Sequence, residues 1–200
     1  MFKRCLLSLL FLLLSLIGYG QNRLQTVPRS INREDNPYGP HDRQFLGEEY
    51  SQSPFEFAVI SHSLGNVNCL RSCCFSDQSK QELVYLVSDD HGRNMKEYRC
   101  PITWELYSAL SGLIHAAVFS SYPDASVVID GACFEFLDGD TYSAQCWLPA
   151  SNPEDNCPRL VRLIQHVRNA VKEKDLKAIE ALQPEIQALT DVFNALRIKD

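Results

Sequence analysis

Apolar and polar positions follow two different periods along this chain, and the change between them divides it. Phe55 to Ile60 has strand composition, with Phe55, Phe57 and Val59 alternating against Glu56 and Ala58. Glu82 to Ser88 ("ELVYLVS") and Met95 to Cys100 predict two further strands, joined as a hairpin by the polar run at 89–94. Between them, residues 66–81 ("NVNCLRSCCFSDQSKQ") show neither period and are expected to form a cysteine-tied loop. From Pro101 the period becomes helical. Leu106, Leu110, Leu113 and Ala117 make one apolar face, and Tyr107, Ile114 and Val118 carry it most of the way round. A helix so widely apolar is expected at the centre, covered on more than one side. Glu105, Ser108, Gly112 and His115 form its narrow polar stripe.

Residues 126–147 read as a meander: "SVVI", a turn at Asp130-Gly131, "ACFEFL", the loop "DGDT" and "YSAQCW". After the breaker-rich loop at 149–158, Leu160, Leu163, Ile164, Val167 and Val171 define an amphipathic helix. Leu176, Ile179 and Leu182 begin another behind Asp175. Pro184 interrupts it, because proline cannot donate to the carbonyl of Glu180. Ile186, Leu189, Phe193 and Leu196 complete the face. The order β-ββ-α-βββ-α-α predicts an α+β domain. Its antiparallel sheet of hairpins and a meander packs against one central helix and a C-terminal helical pair.

The ends change the picture. Residues 1–20 carry Lys3 and Arg4 before an apolar run from Cys5 to Ile17, with Gly18 and Gly20 at the small positions of a cleavage site. That pattern predicts a secretory signal peptide cleaved after Gly20, and hence a secreted or periplasmic protein. Residues 21–48 have few periodic apolar positions and are expected to be a flexible leader, dispensable for folding, ahead of a single domain over 49–200. The expected mature chain has no transmembrane segment. The whole chain has a net charge of −6, with 19 basic and 25 acidic residues; loss of Lys3 and Arg4 leaves 17 against 25, or −8. Such a surface repels phosphate backbones, which argues against nucleic acid as a partner.

Seven cysteines remain after Gly20: Cys69, Cys73, Cys74, Cys100, Cys133, Cys146 and Cys157. In an exported protein they favour disulfides. One pairing follows from loop length. If Asp138 to Thr141 is a four-residue loop, Leu137 faces Tyr142 and Cys133 faces Cys146, within disulfide reach.

The run Asp130-Gly131, Phe134-Glu135-Phe136 and Trp147-Leu148-Pro149, with the preceding "AAVFSSY" and the helices that follow, resembles small secreted α+β proteins of the Bacteroidota. The likeness covers roughly residues 100–197. It implies a fold and a compartment and brings no activity with it.

Candidate chemistry is sparse. "VISHSLGN" at 59–66 is similar to the nucleophile elbow of α/β-hydrolases, with Ser63 as nucleophile and Asp130 or Asp138 and His166 as conceivable partners. Ser61 stands where that motif wants glycine, no amphipathic helix follows, and His166 falls on a polar helix face. Strand, turn and coincidence is the better reading. Cys69, Cys73 and Cys74 could seed a thiolate metal site, but no second ligand pair follows. His115 with Glu105, Ser108, Ser111 and Gly112 could line a groove; close packing at Gly112 is the preferred account. Asp138-Gly139-Asp140 suits a hairpin loop better than a calcium loop. No cofactor is implied. The expectation is a non-catalytic binding or interaction module of the cell envelope, whose partner is an unidentified protein or envelope component. A serine hydrolase using Ser63 and a cysteine-based metal-binding protein are the alternatives.

Overall fold

A computed structural model describes residues 23–26, 56–63, 66–74, 80–88, 95–122, 132–139, 142–148 and 152–197. Among these residues seven antiparallel strands form one sheet: β1 (Gln25–Thr26), β2 (Phe57–Ser63), β3 (Asn66–Cys74), β4 (Gln81–Ser88), β5 (Lys96–Ile102), β6 (Ala132–Asp138) and β7 (Tyr142–Leu148). Their spatial order is β1-β7-β6-β2-β3-β4-β5. The helices are α1 (Trp104–Phe119), α2 (Asn156–Glu173), the short α3 (Leu176–Glu180) and α4 (Gln183–Arg197). The expected α+β class is the class observed.

Strand parity assigns the two faces. Phe57, Val59, Leu70, Leu83, Phe134, Phe136, Ala144 and Cys146 join the helices in the main core. Ala58, Ile60, Cys69, Cys73, Val84, Leu86 and Leu137 form a second buried cluster on the other face. Helix α1 packs on the sheet and against α4, so its wide apolar surface is covered on two sides, as its sequence demands. Helix α2 lies over β4 and β5. The Thr103 hydroxyl caps α1 by accepting the N–H of Leu106. Pro184 falls in the first turn of α4, after α3 has ended at Glu180. No helix among the described residues is long and apolar enough to cross a membrane.

Four sequence expectations need correction. Residues 66–74 of the expected loop are a central strand, β3, bonded to β2 and β4. Its polar residues are absorbed locally: the Ser72 hydroxyl accepts the N–H groups of Glu56 and Phe57 at 2.9 and 3.0 Å. The first helix begins at Trp104, because Pro101 and Ile102 complete β5. Pro101 is tolerated there since β5 is an edge strand. The "SVVI" strand lies outside the described residues.

The third correction concerns the β6–β7 hairpin. Asp138, not Leu137, faces Tyr142, so the loop has three residues, and Gly139 takes the left-handed conformation at φ 55°. A one-residue slip moves side chains to opposite faces. Cys133 therefore faces Trp147 while Cys146 faces Phe134, which removes the expected Cys133–Cys146 disulfide. No disulfide is formed among the described residues.

The fourth is the leader. Leu24 is fully buried in the main core, Gln25 and Thr26 pair with β7, and Arg23 donates to the Leu196 carbonyl at 2.7 Å. These four residues are part of the domain, because one buried leucine and two ladder pairs anchor them.

Two outcomes are expected. Leu24→Ala should destabilise the protein by about 2–4 kcal/mol in denaturant titration; an unchanged midpoint would detach the segment from the core. Non-reducing peptide mapping should recover no Cys133–Cys146 linked peptide, and recovering one would restore the four-residue loop.

Candidate functional site

On the helical face, Phe134, Ser61 and Asn68 lie side by side across β6, β2 and β3, since Ser61 pairs with both Phe134 and Asn68. Tyr85 stands on the neighbouring strand and donates its hydroxyl to Asn68 Oδ1 at 3.0 Å. Above them passes α2, whose buried face carries Leu160, Leu163, Ile164, Val167 and Val171. Arg168 belongs to that same face, one turn beyond Ile164 and only 6 % exposed. These groups line a cavity of about 410 Å³, with Ala132, Gln165 and Asn169 at its margins.

Arg168 sets the electrostatics. One terminal nitrogen donates to Ser61 Oγ at 2.8 Å and the other to the Val59 carbonyl at 2.9 Å. The ring faces of Tyr85 and Phe134 each lie 5.9 Å from its guanidinium carbon. Its Nε is buried without a hydrogen-bond partner, and among the described residues no carboxylate lines the cavity. Burial lowers its pKa from the usual guanidinium value to about 10, partly opposed by Tyr85, so the group stays positive at neutral pH. Burial likewise raises the Tyr85 pKa, and Arg168 works against that rise. An enclosed cation balanced by neutral acceptors and two π faces costs several kcal/mol relative to a paired one. In return the guanidinium ties α2 to β2 through two hydrogen bonds, which a Leu or Met at the same position would not make.

The residues singled out in the sequence do not assemble here. Ser63 ends β2 opposite Asn66 of β3, so the following element is an antiparallel strand rather than the helix a nucleophile elbow needs. Asp138 pairs with Phe57 at the other end of β2, about 20 Å from Ser63 at the usual strand rise. His166 is exposed on α2. Asp130 lies outside the described residues. Asp138 instead accepts a hydrogen bond from Nδ1 of His115 at 2.9 Å. His115 stacks on Phe119 at 4.3 Å, and the ring of Tyr142 follows at 4.8 Å. Ser111, one turn before His115, buries its Oγ without a partner, so it does not complete a relay. A Cβ at Gly112 would meet nothing within 4 Å, which overturns the close-packing account of that glycine.

Cys69 and Cys73 are four residues apart on extended β3, roughly 13 Å, and cannot share one metal ion. No group of three potential metal ligands occurs among the described residues. Burial pushes the Cys146 and Cys157 thiols up, with Cys157 also adding to the rise at Cys146. Both therefore stay protonated at neutral pH.

Sequence reasoning missed Arg168. The available signal was its phase: among Leu160, Leu163, Ile164, Val167 and Val171 it falls inside the apolar arc, where a solvated arginine does not belong. No family model matches the chain, no curated protein matches it in sequence, and no solved structure matches it.

A substitution distinguishes a structural tie from a retained recognition group. Arg168→Met should fold and gain about 1 kcal/mol or more in denaturant titration, because the desolvated charge is removed. A loss above about 2 kcal/mol would make Arg168 a structural tie between α2 and β2.

Proposed function

We propose that this protein is a secreted or periplasmic binding module of the cell envelope, without chemistry of its own, and that the Arg168 cavity is its ligand site. One observation carries the reading: a cation enclosed between sheet and helix, with an unpartnered Nε, no carboxylate among the described lining residues and a cavity beside it. Most of the lining is polar, with Phe134, Tyr85 and Ala132 as its apolar part, and convergent polar groups in a concavity are what fix a small ligand's orientation. The apolar N-terminal run and the resemblance to secreted Bacteroidota proteins support the compartment. The alternatives through Ser63 and through Cys69, Cys73 and Cys74 find no assembled site among the described residues.

Thermal-shift screening of the full chain against small polar molecules tests the proposal. A binder should raise Tm in proportion to the logarithm of its concentration above Kd. The shift should vanish in Asn169→Trp, which places a large side chain at an exposed position on the cavity margin. Shifts that survive Asn169→Trp would move the site elsewhere. Fluorophosphonate labelling abolished by Ser63→Ala would replace the binding module with the hydrolase.

A further inference from the structure

The geometry points to an organic monocarboxylate with a flat apolar body as the ligand of the Arg168 cavity, an assignment that rests on the binding-module reading. The guanidinium has five N–H donors in a fixed plane. One N–H of each terminal nitrogen is directed to Ser61 or Val59, and each of those nitrogens keeps a second N–H. That planar group matches the two oxygens of a carboxylate, which accepts from two N–H donors at once. A neutral amide offers one oxygen and brings N–H groups that find another donor instead of an acceptor.

The surroundings narrow the class further. Asn68 gives its oxygen to the Tyr85 hydroxyl, which leaves its amide N–H groups for an acceptor. Gln165 and Asn169 add neutral amides at the margin. Arg168 is the one cation among the described lining residues, and the chain as a whole is acidic at −6. A single positive charge in a negative protein suits one negative charge, whereas phosphate dianions and polyanions need several cations or a basic field. Phe134, Tyr85 and Ala132 supply the apolar part of the lining, against which the body of a ring-bearing acid can rest while its carboxylate meets the guanidinium. At about 410 Å³ the cavity lies near the small end of the roughly 300–1,000 Å³ range of small-molecule sites.

A carboxylate of this kind could come from a free aromatic acid or from a peptide C-terminus. Calorimetry and thermal shift on the full-length protein separate the two. The probes are phenylacetate, its isostere phenylacetamide, inorganic phosphate, and the tripeptide Gly-Gly-Phe with a free or an amidated C-terminus. Phenylacetate should raise Tm and bind at least roughly tenfold tighter than phenylacetamide, the difference expected for one charge-assisted contact. Arg168→Lys, which keeps the charge and loses the fork, should weaken phenylacetate by about tenfold and leave phenylacetamide unchanged. The acid–amide comparison on the unaltered protein needs no variant to fold. Preference for the free-ended tripeptide over phenylacetate would assign the peptide source, and the reverse order the free acid. Equal binding of acid and amide, abolished by Asn169→Trp, would sink the carboxylate class while keeping the cavity as a binding site. Phosphate binding more tightly than phenylacetate would also overturn the class. If no probe and no member of the polar panel binds, both the class and the binding-module reading fail.

Discussion

The two-sided pairing of β2 is the constraint on which the structure depends. Through Phe57–Ser63 the strand bonds to β3, its neighbour in sequence, and to β6, more than seventy residues further on. Without that second ladder the hairpins of β2–β5 and of β6–β7 would be separate ribbons, each with a half-covered apolar face. Its register also sets the site. Pairing Ser61 with Phe134 on one side and Asn68 on the other puts a hydroxyl, a ring and an amide in one row under α2. A slip of one residue would turn that row over and place Ile60 and Cys69, now in the opposite cluster, beneath Arg168.

Long apolar periods were legible because a helix spanning several turns repeats its message many times. Helix α1 and the faces of α2 and α4 were readable for that reason, and so was the helix break before Pro184. Short or polar strands repeat too little. Strand β3 reads "NVNCLRSCC", with Asn68 and Ser72 facing the helical layer and Arg71 buried beneath the other face. Only tertiary partners, such as the backbone of Glu56 and Phe57 for Ser72, make such a sequence a strand. Strand β1 is shorter still; Leu24, just before it, is the one buried apolar residue that anchors it, and a single position has no period.

The hairpin register failed for a different reason. Both loop lengths leave alternating apolar residues on β6 and β7, so hydrophobic pattern alone does not choose between them. The backbone does: Gly139 at positive φ supports the tighter three-residue connection, and its N–H donates to the Glu56 carbonyl at 2.8 Å, tying the loop to the approach of β2. Cys133 and Cys146 follow passively to opposite faces. Disulfide inference from sequence is thus only as sound as the loop length beneath it.

Helix α2 departs from its own pattern at one position. Its apolar arc would pack the sheet with hydrocarbon alone, yet it holds a guanidinium over the row of Ser61 and Asn68. Local consistency is broken at this one buried cation of the helix, and departures of this kind gather where a protein must recognise something. The compensation is partial: two neutral acceptors and two ring faces soften the charge without cancelling it. An internal carboxylate would have neutralised the cation and closed the site to external anions. The Ser61 hydroxyl and the Val59 carbonyl hold the guanidinium in position instead, and neither cancels its charge.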